Sequence, residues 1–191
     1  MKALLGLLRS LFWLNDVHDD WNFYMEGWWQ NPISILTAIK PLSKNLWCPS
    51  ITGWLKFNIG AAVKGPKVGC GGVLRDDSGS IRALFSGPVE GADMDVARIL
   101  AISYALELFC EINWGGIFGL LVELDSQVVL NWITKPNHRP WKWWHKLVSV
   151  DLLIKRAGMV EFKIVHQQCN ALAFGLARDG ASRDSFFKAW W

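Results

Sequence analysis

"LLVELDSQVVLNWI", residues 120–133, holds the pattern on which the fold turns. An apolar run ends in Asp125, followed at once by Ser126-Gln127 and residues with helical spacing. Short, nearly continuous apolar runs mark strands covered on both faces. A carboxylate at the tip of such a strand is costly unless a cation shares its site. In sheets flanked by helices, working groups gather where strands end and helices begin. Asp125 is therefore the first candidate for a functional side chain.

Upstream, "WLKFNIGAA" alternates like a half-buried strand from Trp54. "CGGVLRDDSGSIRALFSGPV" reads as two strands joined by the turn residues Asp76-Asp77-Ser78-Gly79. "DMDVARILAISYALELFCEI" has Val96, Ile99, Ile102, Leu106 and Phe109 at three- and four-residue spacing, a helix that Asp93 or Asp95 can cap. Downstream of Asp125 come a helix to about Thr134, the break "KPNHRP", a helix from Trp141 to about Ala157, the strand "VEFKIVH", and a helix from about Asn170 to Ser182. A three-strand meander followed by alternating helices and strands predicts an α/β fold: a five-stranded mixed sheet with helices on both faces. The glycines of "GCGG" are not followed by a helix, so they read as aids to close strand packing and not as a phosphate cradle.

The 191 residues suit one domain of ordinary size with an appendage. Half of them are hydrophobic and 19% are charged, enough for a real core. A net charge of +3 permits a polyanionic partner without demanding one. Residues 1–52 read as an irregular, Trp-rich leader and linker in which Pro32, Pro41 and Pro49 break any long helix, and 53–191 as the domain. The opening "MKALLGLLRSLF" is signal-like, yet Arg9 interrupts it and no small-residue cleavage site follows. No uncharged stretch reaches the roughly 18 residues that a membrane span needs. Cys48, Cys70, Cys110 and Cys169 lie far apart without metal-ligand spacing, which suggests reduced thiols and an intracellular setting, nucleus or cytoplasm.

Six stretches in order carry a resemblance: "WLKFN", "GCGGVLRDDSG", "DVARILAISYAL", "VELDS", "RPW" and "VHQQCNALAFGLARDGASR". From about Gly53 onward the chain resembles the ribonuclease H-like domain of plant proteins related to the reverse-transcriptase regions of retrotransposons. That resemblance implies a hydrolase of the RNA strand in RNA–DNA hybrids. In it, four carboxylates hold two Mg²⁺ ions that activate water and stabilise charge on the phosphate. Mg²⁺ requires hard oxygen ligands, so carboxylates are chemically necessary.

Three of the four implied positions depart from the family pattern. The first strand reads "NIGAA" where the family has Asn-Val-Asp-Gly-Ala, so the aspartate is deleted or Gly60 stands in its place. Arg98 stands at the glutamate of the first helix and Phe174 at the aspartate of the last, while Asp125 is retained. No nearby acid substitutes: Glu107 faces away along its helix, Asp95 sits at the helix start, and Glu123 lies deeper on the strand. Two Mg²⁺ bring four positive charges that one aspartate cannot offset, and Arg98 adds repulsion of a few kcal/mol at ~4–6 Å. The expectation is a degenerate site in which Asp125 holds metal weakly or not at all, caps the following helix, or pairs with Arg98.

Other residues carry two readings each. His166 is a family proton shuttle near the substrate phosphate, or a loop hydrogen-bonding group. Asn170 keeps its family place and is counted with the nucleic-acid contacts. In "KPNHRPWKWWHK", Lys135, Arg139, Lys142 and Lys146 interleave with Trp141, Trp143 and Trp144, which suits phosphate gripping and base stacking. Trp141, Trp144 and Val148 form one helical stripe, and Trp143, Leu147, Val150 and Ile154 another, and only one can be core. Three functions remain open: a nucleic-acid-binding module that lost its chemistry (a pseudoenzyme), an active Mg²⁺-dependent hybrid ribonuclease, and a decayed retrotransposon fragment. The expected partner is an RNA–DNA hybrid or other nucleic acid, bound weakly, with no membrane involvement.

Overall fold

The computed structural model describes residues 47–91 and 93–191. Most of the leader, residues 1–46, thus lies outside the described residues. The chain lays down β1 (Trp54–Lys64), β2 (Lys67–Arg75), β3 (Ile81–Val89), α1 (Met94–Glu111), β4 (Gly119–Leu124), α2 (Gln127–Thr134), α3 (Trp144–Ala157), β5 (Val160–Ile164), α4 (Ala171–Gly180) and β6 (Phe187–Trp190). Short 3₁₀ turns at Pro136–His138, Trp141–Trp143 and Gln167–Asn170 precede or link the later helices. The six strands are ordered β5-β4-β1-β2-β3-β6. β1, β2 and β3 form an antiparallel meander, while β4 and β5 run parallel to β1.

Among the described residues the sheet therefore has six strands where the sequence suggests five. β6 pairs antiparallel with β3, Ser86 opposite Phe187 and Ala83 opposite Trp190. Its four residues, "FKAW", alternate half-buried and exposed. They are too few for periodicity to distinguish from a tail.

Strand alternation sends Leu55, Phe57, Ile59 and Ala61 of β1, with Leu120, Val122 and Leu124 of β4, to one face of the sheet. There they meet Ile99, Ile102, Leu106 and Phe109 of α1 and Leu147 and Val150 of α3 in the main core. The helix expected from Trp141 begins at Trp144, after the 3₁₀ turn. Of the two stripes that run through turn and helix, the one with Trp143, Leu147, Val150 and Ile154 packs inward, leaving Trp141, Trp144 and Val148 exposed.

The opposite face is covered by α4, and glycine makes that possible. A Cβ at Gly69 would lie 2.2 Å from Ala177 O, and one at Gly71 2.5 Å from Ala177 N. Ala173, Ala177 and Ala181, four residues apart and fully buried, supply the matching smooth stripe. Small residues on both partners let backbone approach backbone, which fixes α4 over β1 and β2 and sets its first turn against Gly60 of β1.

Candidate functional site

β1 and β4 are paired from Trp54↔Gly119 to Asn58↔Glu123. Gly60 and Asp125 lie two residues beyond the last pair, at the same edge of the sheet. α1 brings Arg98 to this edge, its Nε 3.3 Å from Asp125 Oδ1 and its Nη1 3.4 Å from Asp95 Oδ1. All three side chains are partly shielded from water, Arg98 and Asp125 being only 22% and 19% exposed. Asp125 thus pairs with Arg98 and does not cap α2. Ser126 takes that role, its hydroxyl accepting from Val129 N. Asp93 caps α1, accepting from the N–H groups of Asp95 and Val96. Burial pushes the Asp93 carboxyl up, but those N–H groups and Lys142 outweigh it and hold it below the ordinary aspartate range.

The α4 backbone closes the space beside Gly60. A Cβ there would meet Ala173 C and Phe174 N at 3.1 Å. Gly60, Phe174, Arg98 and Asp125 therefore border one edge, yet this edge offers a guanidinium, a glycine and a phenylalanine where a two-metal site needs oxygens. Among the described residues no three His, Cys, Asp or Glu side chains are grouped to hold a metal ion. This donor set does not fit a pair of Mg²⁺ ions.

Below the edge lies a polar network that the sequence reading did not anticipate. Glu123, 3% exposed, receives Lys56 Nζ at 2.9 Å and Asn58 Nδ2 at 2.9 Å. Asn58 Nδ2 also donates to Asn170 Oδ1, Arg75 Nη1 donates to Asn58 Oδ1, and Asn170 Nδ2 donates to Ile59 O. Trp47 lies over Arg75, ring to guanidinium carbon 4.6 Å, and Lys56 Nζ donates to Cys48 O. Burial lowers the Arg75 guanidinium from its ordinary value, with the Glu123 charge working against that. The signal available in sequence was the alternation Lys56, Asn58, Gly60 on the face away from the main core.

Two residues read as nucleic-acid contacts are turned inward. Asn170 is 2% exposed with its amide engaged in the network. Arg139 clamps the connection between α2 and α3: Nη1 and Nη2 reach Asp151 at 2.6 and 2.8 Å, and Nε and Nη2 donate to the carbonyls of Trp132 and Ile133. Charge alone could not reveal this, because an arginine in a basic run looks the same whether its partner is a phosphate or an aspartate twelve residues on. Lys135 is exposed, Lys146 is half-buried, Trp141 is 88% exposed, and Lys142 bonds Asp93 at 3.3 Å while lying over Trp143. His166 is exposed and caps the 3₁₀ turn at Gln167, its Nδ1 accepting from Gln168 N.

An antiparallel meander joined to two parallel strands, helices on both faces and an acid at the end of β4 define a ribonuclease H-like domain. The chain belongs to the reverse transcriptase-like family, whose model matches residues 59–180. Among solved structures it is similar to the LC11 ribonuclease H1 isolated from compost, with 17% identity over 69% of this chain and 97% of that one, TM-score 0.63. The ribonuclease H1 of the halophilic archaeon Halobacterium salinarum is 22% identical over 68% and 98%, TM-score 0.58. The foamy viral protease–reverse transcriptase, solved in complex with an RNA/DNA hybrid, is 20% identical over 75% of this chain and 22% of that one, TM-score 0.57. At these identities the likeness shows the fold. No curated protein matches the chain.

Proposed function

We propose that this chain is a nucleic-acid-binding domain that keeps the ribonuclease H-like scaffold without its two-metal chemistry. The observation that carries the reading is Arg98 between Asp95 and Asp125. A guanidinium offers five donors and no acceptor, so it repels a metal ion and occupies the carboxylate lone pairs that would bind one. Gly60 contributes no ligand and α4 fills the space beside it. With one family carboxylate left, no pair of metal ions is held to counter the transition-state charge on a cleaved phosphate, a loss of many powers of ten in rate.

Support for binding comes from the fold, since structural neighbours have been solved with RNA/DNA hybrid, and from the exposed Lys135, Trp141 and Lys142. The test is the purified chain with a labelled RNA–DNA hybrid in Mg²⁺ or Mn²⁺. No metal-dependent product, together with binding that weakens steeply with salt, is the expected result. Cleavage abolished by Asp125→Asn would overturn the loss of chemistry, and an absence of binding at low salt would overturn the retained one.

A further inference from the structure

The turn between β1 and β2 carries a second concentration of positive charge, away from Arg98. Lys64 and Lys67 are directly paired across the hairpin, and among the described residues neither has a carboxylate within 4 Å. Like charges facing each other across a strand pair are destabilising. Beside them is a cleft of about 420 Å³ walled by Pro66, Val68, Pro88 and Val89, with Lys67 and Arg183 at its lining. Among the described residues, none that lines it is acidic.

Arg183 is held in place before any ligand arrives. Its Nε donates to Ser86 Oγ at 3.1 Å, its guanidinium carbon lies 5.0 Å from the centre of the Phe187 ring, and its backbone N–H bonds Gly180 O. Ser86 is fully buried and itself fixed by donation to Leu176 O. Among the described residues the Arg183 terminal nitrogens make no hydrogen bond, and no carboxylate forms an ion pair with them. The Asp179 carboxylate feels the charge of Arg183, but shares it with Lys64 and Arg178. A pre-ordered guanidinium keeping its fork free suits an oxyanion, which it can grip with little further loss of side-chain freedom.

Strand geometry relates this cleft to Asp125. Gly60, level with Asp125, pairs with Gly71, and Lys67 is four residues back along β2. Two strand spacings across and four residues along put Lys67 roughly 16 Å from Asp125. That is about five rises of one nucleic-acid strand at ~3.4 Å each.

We infer that the Lys67–Arg183 cleft binds the phosphodiester backbone of a nucleic-acid strand, as an anchor separate from the Arg98 edge. It rests on the nucleic-acid-binding reading above, and the test is chosen to part the two. Hybrid binding is measured by fluorescence anisotropy across a salt series for the full chain and for Lys67→Gln/Arg183→Gln. Side-chain NMR signals of Arg183 are followed during titration with dimethyl phosphate. The expected outcome is a saturable Arg183 shift, and a salt slope lower in the double variant by about two. Unchanged affinity and slope in the double variant, with the unaltered chain binding hybrid, would overturn the anchor and leave the binding reading standing. A saturable Arg183 shift without hybrid binding would overturn nucleic acid as the occupant and the binding reading with it. Neither signal would overturn both.

Discussion

Arg98 Nε lies 3.3 Å from Asp125 Oδ1, and the same guanidinium reaches Asp95 through Nη1. One cation thus holds two carboxylates at the sheet edge where metal chemistry would need negative charge left unclaimed. Replacing Arg98→Glu together with Phe174→Asp removes the cation and adds two oxygen-bearing side chains there. The double variant is expected to show Mn²⁺-induced NMR broadening around Asp125, absent from the unaltered chain. Equal broadening in both would mean that Arg98 does not exclude the ion. Gly60→Asp is the poorer route to restoration, because its Cβ would sit 3.1 Å from the α4 backbone.

The close seat of α4 gives a sharper stability prediction. At Gly69 a single methyl would stand 2.2 Å from Ala177 O, and backbone cannot rotate aside as a side chain can. Gly69→Ala is expected to lower stability by about 3 kcal/mol or more, or to prevent folding. Gly116→Ala, with open space at its Cβ, is the control and should leave the melting curve nearly unchanged. A Gly69→Ala protein melting like the control would show that α4 does not lie against β2.

Arg139 separates a structural arginine from a nucleic-acid contact. Its side chain is 2% exposed and bidentate with Asp151. Arg139→Lys keeps the charge but loses the fork and at least one of the two carbonyl bonds, so it is expected to cost about 2 kcal/mol in urea unfolding. Hybrid affinity of the folded fraction should not change. A weaker affinity with unaltered stability would return Arg139 to the binding surface.

Asp76 organises the β2–β3 turn, accepting from Ser78 N, Ser78 Oγ, Ser80 N and Arg82 Nε. Burial pushes its carboxyl up, but these donors and the Arg82 charge outweigh that and hold it below the ordinary aspartate value. The folded state therefore binds fewer protons than the unfolded one. Asp76 stabilises at and above its unfolded pKa of about 4, and that contribution disappears as pH falls through the lowered folded value. Asp76→Asn is expected to cost about 2 kcal/mol near pH 7, with the gap in urea midpoints closing toward pH 3. A gap that stays constant with pH would remove the charge from the explanation.

Much of this was legible because local signals agreed with one another. Asp76 to Gly79 announced the hairpin, the spacing of Ile99, Ile102 and Leu106 announced α1, and the run before Asp125 announced a doubly covered strand. The pairing of Asp125 with Arg98 was readable as one of its alternatives, since family positions 27 residues apart in sequence converge on one edge. What stayed hidden depended on partners distant in sequence. Arg139 and Asn170 look polar and available, yet each is bonded within the domain. β6 exists because β3 offers it an edge, and four residues carry too little pattern to say so. Lys56 and Glu123 are 67 residues apart, so neither strand alone implies a buried ion pair.

That pair yields the prediction that best tests the interior below the edge. Lys56 and Glu123 are 6% and 3% exposed at the side chain and 2.9 Å apart, with Asn58 completing the carboxylate's hydrogen bonds. Desolvating two charges consumes most of what their attraction supplies, so the pair's net contribution against an apolar replacement is small. Breaking it is a different matter, because the survivor is left buried without its counter-charge. Lys56→Met and Glu123→Leu are each expected to cost about 3–4 kcal/mol. The Lys56→Met/Glu123→Leu protein should lose clearly less than the sum, with a coupling of at least about 1.5 kcal/mol. Arg75 shifts the balance between the singles: it remains near the site in both, so it compensates the orphaned Glu123 of Lys56→Met and aggravates the orphaned Lys56 of Glu123→Leu. The second single should therefore be the more damaging. Additive losses in chemical denaturation would show that the two charges do not depend on each other, and a milder Glu123→Leu would show that Arg75 does not act on this network.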